Sequence, residues 1–205
     1  MPSQNPPPVE QNKKKGFLRR LLLAPRFSGL VLAILFFVGL VGGVPVFDAV
    51  DRHFSSDAFC VSCHLIEATV AKELRQSTHW TRKSGVRASC SDCHISEGLT
   101  AAMWDHVLGT WDLYSFVVRG IRTPEDFEKV RFETANRVRL RMVGNDSKNC
   151  RTCHVMEAIK PKRKRGQRQH AEALESGVSC IACHYNLVHK EVEPSDAFLE
   201  AIGEK

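Results

Sequence analysis

Cys60-Val61-Ser62-Cys63-His64 and, thirty residues later, Cys90-Ser91-Asp92-Cys93-His94 decide how this chain folds. Cys150-Arg151-Thr152-Cys153-His154 and Cys180-Ile181-Ala182-Cys183-His184 repeat the pattern with the same thirty-residue step. Cys-x-x-Cys-His is the attachment signal for c-type haem. The two thiols add to the haem vinyl groups, and the adjacent histidine (His64, His94, His154 or His184) then stands on the proximal side of the iron. All eight cysteines lie in these motifs, so none remains for a disulfide. Structural zinc accounts for paired cysteines but gives no reason for a histidine after every pair. A dithiol redox motif would appear once, beside a βαβ pattern, and not four times. The motifs therefore imply four covalently bound haem c groups.

The chain has 205 residues, 43% hydrophobic and 25% charged. After residue 48 about forty residues remain per haem, too few for a large apolar core. The haems must supply most of the packed interior, with helices and loops wrapped around them. The formal net charge is +6, but two propionates per haem leave the assembled protein close to neutral. The basic excess thus gives no indication of nucleic-acid binding; propionate balance accounts for much of it.

Residues 1–12, with Pro6-Pro7-Pro8, read as a disordered tail, and a basic stretch follows to residue 26. Lys13, Lys14, Lys15, Arg19, Arg20 and Arg26 precede an apolar run from Phe27 to Phe47 that carries no charge. At ~1.5 Å per residue this run covers about 30 Å, the hydrocarbon thickness of a bilayer. Its cationic flank puts the N-terminus in the cytoplasm, and Asp48 and all that follows outside. A cleaved signal peptide is the competing reading, disfavoured by the length of the run and the lack of an Ala-x-Ala site. Expected, then, are a tail over 1–26, a transmembrane anchor over 27–47 and an outward-facing haem domain over 48–205. The localisation that follows is the bacterial inner membrane, single-pass, with the haem domain in the periplasm.

That domain is an internal repeat. Leu65-Ile66-Glu67-Ala68 follows the first motif as Val155-Met156-Glu157-Ala158 follows the third, and Ser84-Gly85-Val86 precedes the second as Ser176-Gly177-Val178 precedes the fourth. Two dihaem halves, about 60–120 and 145–190, result. Each holds one further histidine between its motifs: His79, fifteen residues after His64, and His170, sixteen after His154. Matching positions in a repeat make both candidate distal iron ligands. His189, five residues after His184, and His106, twelve after His94, would complete the set, while His53 sits just past the anchor. Met156 is a weaker candidate, because Ile66 occupies its place in the other half. Bis-histidine ligation gives iron that passes electrons without substrate chemistry. Between the halves, Leu99–Gly120 is rich in Trp and Tyr and carries Asp112. Thr123-Pro124-Glu125-Asp126 reads as a helix start, running to Val143 before Gly144-Asn145. Lys160–Arg168 packs six positive charges into nine residues, either a solvated loop near propionates or lipid, or a docking patch. The fold class expected is mainly α with extensive loops: one N-terminal transmembrane helix and a compact tetrahaem domain.

From the anchor to about residue 190 the chain resembles the NapC/NirT/NrfH family of membrane-anchored tetrahaem cytochromes. The resemblance rests on the anchor, the motif spacing, Ser84-Gly85-Val86-Arg87-Ala88-Ser89 ahead of the second motif, Thr123-Pro124-Glu125-Asp126-Phe127-Glu128, Asn145-Asp146-Ser147, and the His170 and His189 contexts. It implies oxidation of quinol from the membrane pool and transfer of electrons to a periplasmic redox enzyme of nitrate or nitrite reductase type. It also covers relatives thought to run in reverse, fed by a hydroxylamine oxidoreductase; a passive relay with no quinone site is a third possibility. By resemblance, the first haem is the quinol-side haem, and His79 and His189 are ligands exchanged between the halves. His106 takes a position where relatives often carry a lysine ligand, and Asp112 falls on an acidic position near the quinol, where it would act as proton acceptor. Ile66 departs from the methionine that many relatives carry there. A homo-oligomer is compatible with this reading.

Overall fold

The structure, a computed structural model, describes residues 25–203, with the side chains of residues 25–27 left aside. Most of the tail expected over 1–26 lies outside the described residues. The chain divides after Val50 into two compact units. The first is built on helix α1, Pro25–Phe54, with Pro45 inside it. Over Ser28–Phe54 it is long and apolar enough to cross a membrane. At ~1.5 Å per residue those residues cover about 40 Å, more than the ~30 Å hydrocarbon core. Leu32, Phe36 and Phe37 are all exposed. A helix apolar on every side belongs in an apolar surrounding, a protein core or a lipid bilayer, and this one is not covered by protein.

The second unit, from Asp51, is helices and connecting loops, and the described residues contain no β-strand. Each haem motif includes part of a short helix: the second and fourth begin one, while the first cysteine of the first ends one and that of the third lies inside one. Helix α2 (Asp57–Cys60) is capped by Ser56, whose Oγ accepts from Phe59 N at 3.2 Å. Helix α3 (His64–Ile66) passes through a wider, π-type turn, Glu67–Ala71, into α4 (Lys72–Gln76). This helical stretch buries Leu65, Thr69, Ala71 and Leu74, so its inner face starts directly beside His64. Helix α5 (Cys90–His94) opens on a capping box between Ser89 and Asp92. Gly98, at φ 98°, then turns the chain into α6 (Leu99–Val118), a backbone angle that only glycine adopts freely.

Helix α7 (Pro124–Gly144) begins at the expected place. The Thr123 hydroxyl accepts from Asp126 N, the Asp126 carboxylate accepts from Thr123 N, and Pro124 fills the first helical position. Its buried side chains are polar: Arg131, Asn136 and Arg139. Helix α8 (Lys148–Arg151), a 3₁₀ turn at Met156–Ala158, and α9 (Lys164–Ser176) lead through Gly177, left-handed at φ 69°, to α10 (Cys180–Cys183). Helix α11 (Asp196–Ala201) closes the described chain and buries Phe198 completely. Leu65, Leu74, Ile181 and Phe198 are the largest buried apolar side chains. Protein alone thus supplies little core here, in keeping with a fold whose interior is meant for another apolar body.

Candidate haem sites

Three hydrogen bonds set the four motifs side by side in chain order. Cys90 N, at the start of α5, donates to Asp57 Oδ1 at 2.8 Å, joining the second motif to the first. Asn149 Nδ2 donates to Ile95 O at 2.8 Å, joining the third to the second. Ile181 N donates to Ser147 Oγ at 3.0 Å, and that hydroxyl also meets Ser179 Oγ at 2.6 Å, joining the fourth to the third. Helix N-termini carry unpaired N–H groups; Asp57 satisfies one at α5 and Ser147 one at α10, while Asn149 donates to a carbonyl instead. Asp57 and Ser147 each stand three residues before the first cysteine of their half. The two positions are equivalent in the repeat, a correspondence visible in the spacing alone. Ser147 is buried and left-handed at φ 50°, directly after Asp146 at φ 53°. Two such residues in succession are costly, and the hydroxyl's two bonds hold the conformation.

The imidazoles pair across this row. His79 faces His154 with ring centroids 6.3 Å apart, His94 faces His189 at 6.2 Å, and His170 faces His184 at 6.0 Å. In each pair one member belongs to a Cys-x-x-Cys-His motif and the other does not. An imidazole nitrogen lies about 2 Å from a metal it ligates and roughly 1.1 Å from its ring centre, so two rings trans on one iron have centres about 6 Å apart. The three pairs have that separation. His79 and His189 each bury Nδ1 without a hydrogen bond, and the Glu73 carboxylate lies 3.5 Å from that atom of His189. Nδ1 of His170 donates to the Gly166 carbonyl at 2.8 Å, leaving Nε2 free for a metal. Burial pushes His94 down to about 4, with His189 and Arg141 adding and Asp105 opposing. Burial likewise lowers His79, His184 and His189. Burial thus favours the neutral imidazole at all four, the form that binds iron. None of the eight cysteines is in a disulfide. Among the described residues no cluster of three or more His, Cys, Asp or Glu side chains converges as a bare metal ion would need. The donor set fits haem c, with thiols for the vinyl groups and imidazoles on opposite faces.

His64 and His106 stand apart from the pairs. His64 Nε2 lies 3.0 Å from Arg122 O, and its ring meets Phe116 at 5.8 Å. His106 Nε2 lies 3.0 Å from Asp51 Oδ1 and 3.4 Å from Ser55 Oγ. Asp112 is one helical turn before Phe116 on α6. Its side chain is 71% exposed and accepts from Arg137 at 3.3 Å. The surrounding protein raises its pKa, while Arg137 and Arg141 pull it back. His53 stacks edge-on with Phe54 and lies near Phe59. Met156 lines a groove with Pro161, Gln167, His170 and Leu174.

Two arginines lock the loop that carries His189. Arg139, 4% exposed, donates to Asn136 Oδ1, Asn186 Oδ1 and the carbonyls of Val192 and Glu193 at 2.7–3.1 Å. It also lies over the rings of Tyr185 and Phe198. Arg131 donates to Glu73 and Glu128, and Glu73 accepts from Lys190 N at 3.1 Å. Neither arginine had a signal in the sequence, since both sit in a charge-rich helix that reads as solvent-facing.

Paired imidazoles and Cys-x-x-Cys motifs in a chain that also carries one apolar helix define a c-type cytochrome with covalently bound haem and a membrane anchor. The family model for the NapC/NirT cytochrome c family, N-terminal region, matches residues 25–194. Cytochrome c-type protein NapC of Escherichia coli strain K12 is 34% identical over 194 residues, 89% of this chain and 97% of its own. Denitrification system component NirT of Stutzerimonas stutzeri is 34% identical, covering 86% and 90%. Cytochrome c-type protein TorC of Escherichia coli strain K12 is 37% identical over 73% of this chain and 39% of its own. No solved structure matches. The chain belongs to the NapC/NirT cytochrome c family and is an electron-transport protein.

Proposed function

We propose that this chain oxidises quinol from the membrane pool and delivers the electrons singly to a periplasmic redox protein. The observation that carries this is an asymmetry: three motif histidines face a second imidazole, whereas His64 faces the Arg122 carbonyl and Phe116. Bound haem supplies reversible one-electron redox at each motif. His154, His94 and His184 would hold three of the irons together with His79, His189 and His170, which would close those sites to substrate. His64, with no facing imidazole, would hold the fourth and leave room there for a quinol or a weak ligand. Asp112, on the α6 face shared with Phe116, is the proton acceptor; its carboxylate is open to solvent and accepts a hydrogen bond from Arg137. His106, held by Asp51 through Nε2, keeps only Nδ1 for a metal, and no second imidazole faces it. The cations before α1 orient the N-terminus to the cytoplasm and the haem domain to the periplasm.

Electron paramagnetic resonance of the fully oxidised protein tests the asymmetry. One high-spin and three low-spin signals are expected, and four low-spin signals would sink the open site and favour a relay. Asp112→Asn should slow quinol turnover about 10²-fold with haem content unchanged; unaltered turnover removes Asp112 from the reaction.

A further inference from the structure

Lys160, Lys162, Arg163, Lys164, Arg165 and Arg168 are all exposed, and among the described residues none of them makes an ion pair. Other surface cations of this unit do find acids: Arg75 meets Glu67, Arg119 meets Glu133, and Lys190 meets Glu128. The cluster also sits at the wrong end of its helix. The first turn of α9 holds no acidic residue, and positive charge at a helix N-terminus opposes the helix dipole. Local stability is therefore worse for having these residues, and among the described residues no ion pair offsets the cost.

Propionate balance accounts for part of the cluster at most: Lys160 lines the groove beside Met156 and His170, but Arg165 and Arg168 do not. Gln167, His170 and Leu174 share one face of α9 and line the groove with Met156 and Pro161. A haem held by His170 and His184 would be approached from that side. Arg165 and Arg168 fall on the opposite side, with Lys164 on the flank. Yet Arg168 is only two residues from His170, so anything docked on the patch comes close to the last motif of the row.

We propose that this patch is the docking surface for the water-soluble electron partner, a redox protein with an acidic face around its own centre. The proposal rests on the electron-transfer function above and adds the surface through which electrons leave or enter. Charge complementarity and the nearness of an iron ligand favour a redox protein over an anionic bilayer, which needs the charge but has no use for the histidine.

The test uses the full-length haem-loaded protein in neutral detergent, reduced with dithionite so that no quinol step intervenes. Its probes are a plastocyanin with an acidic face and a basic mitochondrial cytochrome c. Oxidation by plastocyanin should slow steeply between about 0.01 M and about 1 M salt, as the Debye length falls from ~30 Å to ~3 Å. The triple variant Lys162→Gln, Arg165→Gln, Arg168→Gln should react about tenfold more slowly with plastocyanin at low salt and match the parent at high salt. Its affinity for oxidised plastocyanin on a sensor surface should fall by about the same factor, while the reaction with cytochrome c does not slow. An unchanged plastocyanin rate and affinity would overturn the docking surface. So would an unchanged plastocyanin rate with lost binding to phosphatidylglycerol vesicles, which would assign the patch to lipid. A parent protein that transfers electrons to neither probe would refute the electron-transfer reading itself, a result distinct from failure of the patch alone.

Discussion

Gly166 shows how one residue governs an iron site. A Cβ on Gly166 would lie 2.9 Å from Pro161 Cβ, a contact with a rigid ring that must move something. Glycine inside a helix costs stability relative to alanine, so its presence in α9 reflects this close approach. The carbonyl of the same residue accepts from His170 Nδ1 at 2.8 Å and fixes which nitrogen faces His184. Gly166→Ala should therefore push α9 away from Pro161 and carry His170 with it. Overpacking of this kind costs about 1–3 kcal/mol, or roughly 2–10 °C in Tm for a domain of this size. The expected spectroscopic mark is a new high-spin fraction from the His170–His184 site; a lower Tm with unchanged low-spin signals would restrict Gly166 to packing. Glu73 acts at the same scale, joining Arg131, Lys190 N and the neighbourhood of His189 in one carboxylate.

At the scale of elements, α7 spans the unit and its start is titratable. Hydrogen bonds from Lys129 and Thr123, with the Arg122 N–H, hold Asp126 down from the ordinary 3.8 to about 2. A depressed carboxylate contributes stability that is complete above its unfolded pKa and lost as pH falls towards the folded one. The cap should thus weaken between pH 3.8 and about 2. Asp126→Asn should reduce the acid sensitivity of Tm in that window and leave neutral-pH spectra intact; an unchanged acid profile would show that other carboxylates set it. This helix was legible in advance, because Thr123-Pro124-Glu125-Asp126 carries cap, proline and acids within four residues. Its inward face was not legible. Arg131 and Arg139 look like solvent-facing charges in sequence, and only the partners at Glu73, Asn186 and Val192, far along the chain, make them interior.

For the whole molecule, the scarcity of apolar core has a direct consequence. The buried aliphatic and aromatic side chains are few and scattered, and two of the largest buried groups on α7 are arginines. Burial of roughly 25 cal/mol per Å² cannot offset chain entropy with so little apolar area from protein alone. Chain made where haem is not attached should lack a cooperative thermal transition by calorimetry, whereas the haem-loaded protein should show one. A cooperative transition in the haem-free chain would contradict haem as the core.

What the sequence by itself determined is everything written in short range. Four Cys-x-x-Cys-His motifs name the cofactor, because both thiols and the proximal imidazole must lie within five residues. A long uncharged run names the anchor, because a bilayer responds to composition and length. The cap of α7 belongs to the same class. Tertiary structure alone decided which imidazoles meet. His79 and His154 are separated by 75 residues and His94 and His189 by 95, yet their rings stand 6.3 Å and 6.2 Å apart. It also decided that His64 and His106 face Arg122 O and Asp51 instead. Each of those outcomes depends on how α7 and the clamped 185–195 loop pack across both halves. Packing of that kind is the sum of many weak contacts between distant residues, and no local spacing records it.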